Sequence, residues 1–424
     1  MSPITVRDDS FYYQMCRTSQ RGLPRIVYSS SSPQLRSMHT LTHWIKQSAL
    51  PFWGTRGVDH STGGFHERMH LDGTPDRDVP RRAMVLARQI YVHAHAAALG
   101  WYPAGKERAF QALEVLLTRY RSPDGAPGYV HSVAADGTIA NSSRDTYAHT
   151  FILLGLAWLA RTSGDAQINS LIEETLAFID GPLSASDGTL LEGLPPSVPR
   201  RQNPHMHFYE ALLALHEAIA FPSAIKRAQQ IRSLLPSHFL DVNGGLVEFF
   251  DDDWQIWAGK GGGLKEPGHY AEWSWLLRKH DRLTGANADP LAEHLFARAV
   301  DFLDPNTGFL PDYCDDTEQA LTVTRRCWPQ TEMLKAWLAE YEWGGSESVD
   351  RADQLMRNVM KHYIRADTPG LWNEQFDSTG RPLIFYVPAS TLYHLFCAAA
   401  EYERVREIPS GEPDALNNVA RTTT

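Results

Sequence analysis

Hydrophobic and polar residues alternate with helical spacing along most of the chain. In one segment Leu153, Leu156, Ala157 and Ala160 recur at the spacing of a helix face. Segments of this kind are found throughout the sequence. They predict twelve helices, at about residues 34–50, 80–100, 105–121, 143–163, 166–180, 203–220, 222–236, 266–284, 289–303, 326–343, 347–365 and 387–405.

A short motif separates successive pairs of predicted helices. A glycine is followed by aromatic or apolar residues and then by an acidic or polar residue, at 64–67, 128–131, 188–192, 245–248, 308–312 and 370–374. The numbers of successive glycines differ by 64, 60, 57, 63 and 62, so the chain repeats itself six times. Turn signals such as Asp72-Gly73 and Asp136-Gly137 follow several copies and predict short β-hairpins.

Six near-equal units with two helices each predict an all-α fold. We expect an (α/α)6 barrel of six helical hairpins, with short β-hairpin loops at one end. A linear solenoid is the alternative, but its terminal repeats would be capping variants, and six is the number of units that closes this barrel. The inner helix of each hairpin should be the more apolar one, and the loops should build a concave site.

The domain boundaries follow from where the pattern begins and ends. Residues 1–33 are polar and irregular, and we expect a flexible N-terminal extension there. Residues 34–405 are the predicted barrel and catalytic domain, and residues 406–424 are a predicted C-terminal tail. No linker interrupts 34–405, so one domain is expected although the length of 424 residues suggests two or three.

Composition narrows the class of protein. Lys and Arg total 40 and Asp and Glu total 50, so the formal net charge is −10, which argues against a nucleic-acid partner and fits a neutral sugar better than a polyanion. Four scattered cysteines indicate a reduced, cytoplasmic protein. No apolar run approaches the roughly 18 residues of a membrane span. A monomer or homodimer that binds a small molecule is expected.

Several common site motifs are missing from the sequence. It contains no G-x-x-x-x-G-K-[ST] phosphate loop, no H-E-x-x-H zinc helix and no G-x-S-x-G nucleophile elbow. The histidine pairs 93/95 and 205/207 are two residues apart, so their members do not face each other on a helix. No cofactor and no metal are therefore predicted.

Two predicted helices begin with the same histidine–carboxylate arrangement. His207 precedes Glu210, and His269 precedes Glu272, by three residues, so each pair shares a helix face. The dipole at a helix N-terminus disfavours a protonated histidine, whereas a neighbouring carboxylate favours it. These opposed effects suit an imidazole to proton transfer near neutral pH. A capping histidine with a structural carboxylate is the alternative.

Two further residues interrupt apolar helix patterns. Arg88 lies among Leu86, Ala87 and Ile90, and it is either a structural salt-bridge partner or a fixed cation for a polar substrate or an oxyanion. His394 lies in an apolar inner-helix pattern, where a lone histidine is usually a satisfied core residue. A functional role for His394 becomes the favoured interpretation if its helix lines the same cavity as the other two histidines.

These segments resemble the N-acylglucosamine 2-epimerase superfamily. The matching motifs span about residues 40–405 in order and are Ala87-Arg88-Gln89 with Tyr91, Asp145-Thr-Tyr147-Ala-His149, Asn203-Pro-His-Met-His207 with Glu210, Glu266-Pro-Gly-His269 with Glu272 and Trp273, Trp328-Pro-Gln-Thr-Glu332, and Pro388-Ala-Ser390 with Tyr393 and His394. Members of this family have an (α/α)6 barrel, in agreement with the six-fold repeat. The resemblance implies sugar carbonyl chemistry without a required metal.

The resemblance also implies roles for individual residues. His269 and His394 would form the acid/base pair that moves the proton next to the carbonyl of an opened sugar, through a cis-enediol. Arg88 would stabilise charge on O1 or O2, and His207 and Glu272 would surround the same hydroxyls. The expected substrate-binding residues are Asn203, Tyr147, Trp328, Glu210, Lys260 and Gln89.

The predicted function is therefore an aldose–ketose isomerase that converts D-mannose to D-fructose. The alternative is a sugar 2-epimerase acting on N-acetylglucosamine or a glucose-terminated disaccharide, and a third possibility is a non-catalytic carbohydrate-binding barrel. One departure concerns the substrate: Lys260 and Lys265 lie where isomerases of the family carry an arginine-containing loop. Such a lysine either replaces the arginine or suits a different substrate, such as a sulfonate or phosphate.

Overall fold

The computed structural model describes residues 40–315 and 324–407. These residues belong to one structural unit, built from helices with short strands at one end. The predicted extension, residues 1–33, and residues 408–424 of the predicted tail lie outside the described ranges. Within those ranges, no helix combines the length and the apolar character that crossing a membrane requires.

Six helices form an inner ring and are buried on most of their faces. The helix Thr146–Ser163, for example, is buried at every position from Ala148 to Ala160. At Gly155 a Cβ atom would lie 3.0 Å from the carbonyl oxygen of Ala87, so the glycine lets two inner helices approach closely. The inner helices are Ala83–Ala98, Thr146–Ser163, Asn203–Ile219, Pro267–Thr284, Cys327–Glu342 and Leu392–Glu407.

The outer helices bury a single stripe. In Ala166–Asp180 the stripe contains Ile168, Ile172, Leu176 and Ile179, spaced along one helix face. The outer helices are Gly105–Val115, Ala166–Asp180, Ala224–Leu234, Pro290–Asp301, Ser348–His362 and the segments Leu41–Trp44 and Leu50–Trp53, with π-helical turns at Ile45–Ala49, Leu116–Tyr120 and Leu235–Phe239. The predicted helices are present, and the prediction that the inner helix of each pair is the more apolar one is wrong for one pair, because the inner helix Pro267–Thr284 is more polar on average than the outer helix Pro290–Asp301.

The two ends of the described chain close the ring. The last inner helix, Leu392–Glu407, packs against both the first inner helix and the N-terminal outer segments, where the Thr42 hydroxyl donates to the carbonyl of Ala399 at 3.1 Å. Next to this contact, the strand Arg68–His70 pairs with Tyr386–Pro388. The fold is therefore the predicted (α/α)6 barrel and not a linear solenoid, and its sixth hairpin is made from both chain ends.

Short antiparallel strands join consecutive units at the end of the barrel where the inner helices begin. In each case the residues just before an inner helix form a strand pair with the residues that follow the glycine motif of the next unit. The pairs are Arg81–Arg82 with Ser132–Val133, Arg144–Asp145 with Gly193–Leu194, Arg200–Arg201 with Phe249–Phe250, Arg325–Arg326 with Gln375–Phe376, and a single bridge between Lys265 and Cys314. A predicted hairpin is present at Asp136-Gly137, where Ser132–Val133 also pairs with Ile139–Asn141. The pairing between units was not predicted from the sequence.

Candidate active site

The inner helices surround a cavity of about 440 Å³ at the end that carries the paired strands. Each of the six contributes a side chain from its first turns, so residues far apart in the sequence face one another. The lining includes Arg88, Tyr147, Asn203, His207, His269, Glu272, Trp328 and His394 from the helices, and Arg68, Arg82, Arg201 and Arg326 from the strands beside them.

The acidic residues of the repeated glycine motif hold the starts of the inner helices. Oε2 of Glu67 accepts a hydrogen bond from the backbone N–H of Arg82 at 2.9 Å, and Oε1 of Glu192 accepts one from Arg201 at 2.6 Å. Each carboxylate also binds the guanidinium of the same arginine. In these two units the acid of the motif therefore fixes an arginine where an inner helix begins.

His269 lies in the first turn of its helix and is held in its protonated form. Its Nδ1 atom lies 3.0 Å from Oε2 of Glu248, another acid of the glycine motif, and its Nε2 atom lies 3.3 Å from the amide of Asn203. Burial lowers the pKa of His269, but the carboxylate of Glu248, together with that of Glu266, outweighs burial and raises the pKa to about 10. At neutral pH His269 is therefore a proton donor in the cavity.

His394 is held in the opposite state. Its Nδ1 atom lies 2.7 Å from Oε1 of Glu332, and Oε2 of Glu332 lies 2.6 Å from Nζ of the wholly buried Lys335. Burial, together with the positive charges of Arg88 and Lys335, keeps the pKa of His394 well below its ordinary value. The neutral ring donates its Nδ1 proton to Glu332 and keeps an electron pair on Nε2, which is the state of a general base.

His207 presents a second neutral imidazole to the cavity. Its Nδ1 atom lies 3.0 Å from Oε2 of Glu210, and the Tyr393 hydroxyl donates to the other oxygen of that carboxylate. Burial lowers the pKa of His207 to about 4, although Glu210 opposes this shift. The Nε2 atom is thus an acceptor for a ligand hydroxyl, and Glu210 fixes the tautomer from behind.

Two unpartnered polar atoms in the cavity belong to Glu272. Both of its carboxyl oxygens are buried and have no hydrogen-bond partner among residues 40–315 and 324–407. Burial, reinforced by the charges of Glu332 and Glu210, raises the pKa of Glu272 well above its ordinary value. This shift favours the protonated carboxyl form of Glu272, which can both donate to and accept from a ligand hydroxyl.

Arg88 is a buried cation without a carboxylate partner. Its Nη2 group donates to the Tyr147 hydroxyl at 2.7 Å, and its Nη1 group donates to the carbonyl of Ser390 at 3.2 Å. The guanidinium carbon lies 4.1 Å from the ring centre of Phe151, so an aromatic face partly compensates the charge. Since Arg88 forms no ion pair with any described residue, the salt-bridge interpretation is wrong. Its charge is available to an oxyanion in the cavity.

Trp328 packs against both His269 and His394. Its ring centre is 5.0 Å from that of His269 and 5.6 Å from that of His394. A tryptophan ring offers an apolar face to the C–H groups of a sugar. A sugar that rests on this ring would lie close to a protonated and to a neutral imidazole.

Eight of the eleven site residues predicted from the sequence line this cavity. Glu210 and Gln89 lie behind it. The amide of Gln89 donates to the carbonyl of Ala389 at 2.8 Å, so it supports the start of the last inner helix. The predicted direct contact of these two residues with a substrate is therefore replaced by a supporting role.

The prediction for Lys260 is corrected by the structure. Lys260 is exposed in the glycine-rich loop and does not line the cavity. Lys265 is buried, but its ammonium lies 2.8 Å from the carboxylate of Asp241. Neither lysine takes the place of the missing arginine, because the loop holds one at the surface and an ion pair holds the other.

Sequence reasoning missed the arginines and the residues that support the histidines. The arginines had a signal, since pairs of adjacent arginines precede three inner helices at 81–82, 200–201 and 325–326. Glu248 ends a glycine motif that had been recognised, and Glu332 ends a motif of the resembled family. Lys335 had a signal as well, because it follows Glu332 by three residues and therefore shares its helix face.

Three sets of residues have donor atoms close enough to hold a divalent cation. They are His207–Glu210–Glu272, Glu248–Glu266–His269 and Glu272–Glu332–His394, in each of which the donor atoms lie within 4.8 Å of one another. In every set the Nδ1 atom of the histidine already bonds a carboxylate, so a metal would have to replace that bond. The nearby cations Arg88 and Lys335 oppose a further positive charge. That the site works without a metal stays a prediction.

The fold and the cavity define the chain as an (α/α)6-barrel protein with a site for a small polar ligand. Residues 63–398 match the model of the N-acylglucosamine 2-epimerase (GlcNAc 2-epimerase) family. The chain belongs to this family, and it is an enzyme, a sugar isomerase or epimerase.

Its relatives include isomerases whose names give different substrates. The chain is 33% identical over 383 residues to a mannose-6-phosphate isomerase of Rhizobium meliloti (strain 1021), with 86% of this chain and 96% of the relative covered. It is 26% identical to a D-mannose isomerase of Thermobifida fusca, covering 81% and 91%.

Solved structures support the fold. A crystal structure of D-mannose isomerase superposes with a TM-score of 0.79 at 23% identity, covering 89% of this chain and 100% of the other. A cellobiose 2-epimerase from Spirochaeta thermophila DSM 6192 superposes with a TM-score of 0.78 at 24% identity, covering 88% and 97%. At these identities the likeness concerns the barrel alone.

Proposed function

We propose that the protein interconverts D-mannose and D-fructose by proton transfer between C2 and C1. One observation carries the proposal: the cavity holds a protonated histidine, His269, and a neutral one, His394, and both rings pack against Trp328. Two titratable groups whose environments push their pKa values apart are the signature of an acid and a base in one site.

The reaction begins with the opened aldose. Nε2 of His394 takes the proton from C2, and the electron pair forms the C1–C2 double bond while the carbonyl oxygen O1 takes a proton from His269. The product is a cis-enediol. His394 then returns its proton to C1, and the O2 hydroxyl gives its proton back to His269, which leaves the carbonyl at C2. Both histidines regain their starting states, so the cycle balances.

Charge that develops on O1 and O2 is stabilised by groups already fixed in the cavity. Arg88 is a cation with no carboxylate partner among the described residues, held by the Tyr147 hydroxyl and a backbone carbonyl. Glu272 and His207 offer a neutral carboxylic acid and an imidazole acceptor to neighbouring hydroxyls. Preorganised donors of this kind are usually the largest contribution to catalysis of such proton transfers.

The names of two relatives support a substrate of mannose configuration. Both the 33% identical protein and the 26% identical protein carry mannose in their names, and both are isomerases. The relatives differ in whether the sugar bears a phosphate. The chemistry at C1 and C2 is the same in both cases, so the proposal concerns that end of the sugar.

The test is a product analysis in deuterated water. Incubation with D-mannose should give D-fructose that carries deuterium at C1, because a protonated His394 exchanges with solvent. His394→Gln and His269→Gln should abolish the reaction, whereas His60→Gln, at an exposed loop position, should leave it unchanged. A folded protein that makes no ketose contradicts the proposal. D-glucose as the main product would identify a 2-epimerase instead.

A further inference from the structure

The outer part of the cavity is rich in arginine. The side chains of Arg68, Arg82 and Arg201 are 30%, 39% and 34% exposed, whereas those of His269 and His394 are 5% and 8% exposed. The proton-transfer groups therefore lie deep in the cavity and the arginines lie toward solvent. A sugar that places C1 and C2 between the histidines would extend its other end toward the arginines.

The guanidinium groups of Arg82 and Arg201 are each held in place by a glutamate, and one edge of each group stays open to a ligand. In Arg82 the Nε and Nη2 groups bind Glu67, and in Arg201 the same groups bind Glu192. Each carboxylate also accepts the backbone N–H of its arginine, as described above. The Nη1 group of each guanidinium takes no part in this clamp and remains available to a ligand.

Arg326 occupies the equivalent position in its own unit, but its charge is not paired in the same way. Its backbone N–H donates to Asp312 at 2.5 Å. Because aspartate is one methylene shorter than glutamate, it does not also hold the guanidinium. The side chain lies near the ring of Tyr313, with 5.8 Å from the guanidinium carbon to the ring centre, and within the described ranges it forms no ion pair at 4.0 Å or less.

The charge of the cavity wall is opposite to that of the whole chain. Five arginines line the cavity, of which Arg68, Arg82 and Arg201 are each paired with a carboxylate, so Arg88 and Arg326 carry its uncompensated positive charge. Burial raises the pKa of both Glu266 and Glu374 to about 7, so at neutral pH these two glutamates are only partly ionised and do not fully cancel that charge. A wall of this charge attracts an anionic ligand.

We propose that Arg82, Arg201 and Arg326 form a subsite for a tetrahedral oxyanion, a phosphate or a sulfonate, on the sugar carbon most remote from the reacting end. This inference rests on the proposed function for the orientation of the sugar. Guanidinium groups bind such oxyanions through paired, charge-assisted hydrogen bonds. The three arginines occupy equivalent repeat positions, in the strands that lead into three different inner helices, and all of them line the same cavity.

Binding of two unreactive sugar alcohols tests the subsite. Calorimetry should show D-mannitol 6-phosphate binding at least about tenfold more tightly than D-mannitol, since a charge-assisted hydrogen bond contributes about that factor. The analogue with a sulfonate in place of the phosphate distinguishes the two oxyanions. Arg326→Gln should remove most of the affinity advantage that D-mannitol 6-phosphate has over D-mannitol.

Controls keep the subsite and the proposed function separate. Arg357→Gln, an exposed change on an outer helix, should bind both alcohols as the unchanged protein does. If Arg326→Gln unfolds, Arg326→Lys keeps the charge, loses the paired N–H groups of the guanidinium and should bind the oxyanion at intermediate strength.

Equal affinity for the charged and uncharged alcohols overturns the subsite, even where D-mannose is isomerised. A lack of turnover with tight phosphate-dependent binding rejects the proposed reaction and leaves the subsite standing.

Discussion

Oε1 of Glu332 lies 2.7 Å from Nδ1 of His394. The second oxygen of this carboxylate lies 2.6 Å from Nζ of Lys335, and both Glu332 and Lys335 are wholly buried. Burial lowers the pKa of Lys335, but Glu332 outweighs it and raises the pKa above the ordinary value. Lys335 therefore stays charged and opposes the rise in the pKa of Glu332 that burial causes. Through Glu332 it fixes the tautomer in which Nε2 of His394 is a base.

Replacing Lys335 tests the series of contacts from Lys335 through Glu332 to His394. In Lys335→Met the buried carboxylate loses its cation and takes up a proton, so it no longer fixes the base form of His394. We expect kcat to fall by about a hundredfold, the contribution typical of a positioned acid or base. Lys279→Met removes a similar ion pair from another inner helix, with Glu217 at 2.7 Å, and should lower stability without a comparable loss of kcat. Equal losses of kcat in the two variants would contradict the positioning role.

The pH dependence of kcat should report the two histidines separately. Activity needs His394 neutral, and because its pKa lies well below 6.5, the acid limb should lie below the ordinary range for histidine. Activity also needs His269 protonated, so it should fall as the pH rises through about 10. Glu248→Gln removes a carboxylate that raises the pKa of His269 and should move the alkaline limb to lower pH. Glu174→Gln, at a surface ion pair, should leave the profile in place.

Arg88 should affect the chemical step more than substrate binding. Arg88→Met removes the buried cation next to the developing enediolate, and kcat should fall by roughly 10²- to 10³-fold with a smaller change in KM. Arg88→Lys keeps a charge but loses the paired contacts with Tyr147 and Ser390, so it should give an intermediate rate. Arg161→Met, an exposed position on a neighbouring inner helix, is the control. A larger change in KM than in kcat for Arg88→Met would assign this residue to ground-state binding.

Close packing of the inner ring should make Gly155 intolerant of a larger side chain. In Gly155→Val the new Cβ would lie 3.0 Å from the carbonyl oxygen of Ala87 and 3.2 Å from Cγ2 of Ile90. The free energy of unfolding should fall by about 1–3 kcal/mol through overpacking. Ser170→Val places the same side chain on an exposed outer-helix position and isolates the helix propensity of valine. Chemical denaturation of both variants measures the difference.

The sequence alone determined the helices, their number and the barrel. Helix periodicity is a local property, and the near-equal glycine spacing counts the units directly. The inter-unit strands were not predictable in this way, since Arg81–Arg82 and Ser132–Val133 are joined only after the helices pack. The closing contact between Thr42 and Ala399 likewise depends on the whole ring.

For the site, the sequence found the residues that project from the first turns of the inner helices, because a motif such as His-x-x-Glu fixes its own geometry. Only the tertiary structure decided which residues form hydrogen bonds with these side chains on the side away from the cavity. The sequence placed Glu272 next to His269, whereas the carboxylate that bonds His269 is Glu248, from the preceding unit.

Charge shows the same division. The net charge of −10 suggested a neutral ligand, yet five arginines line the cavity. A net charge sums over the whole surface, whereas the potential in a cavity depends on the few side chains that the fold turns inward.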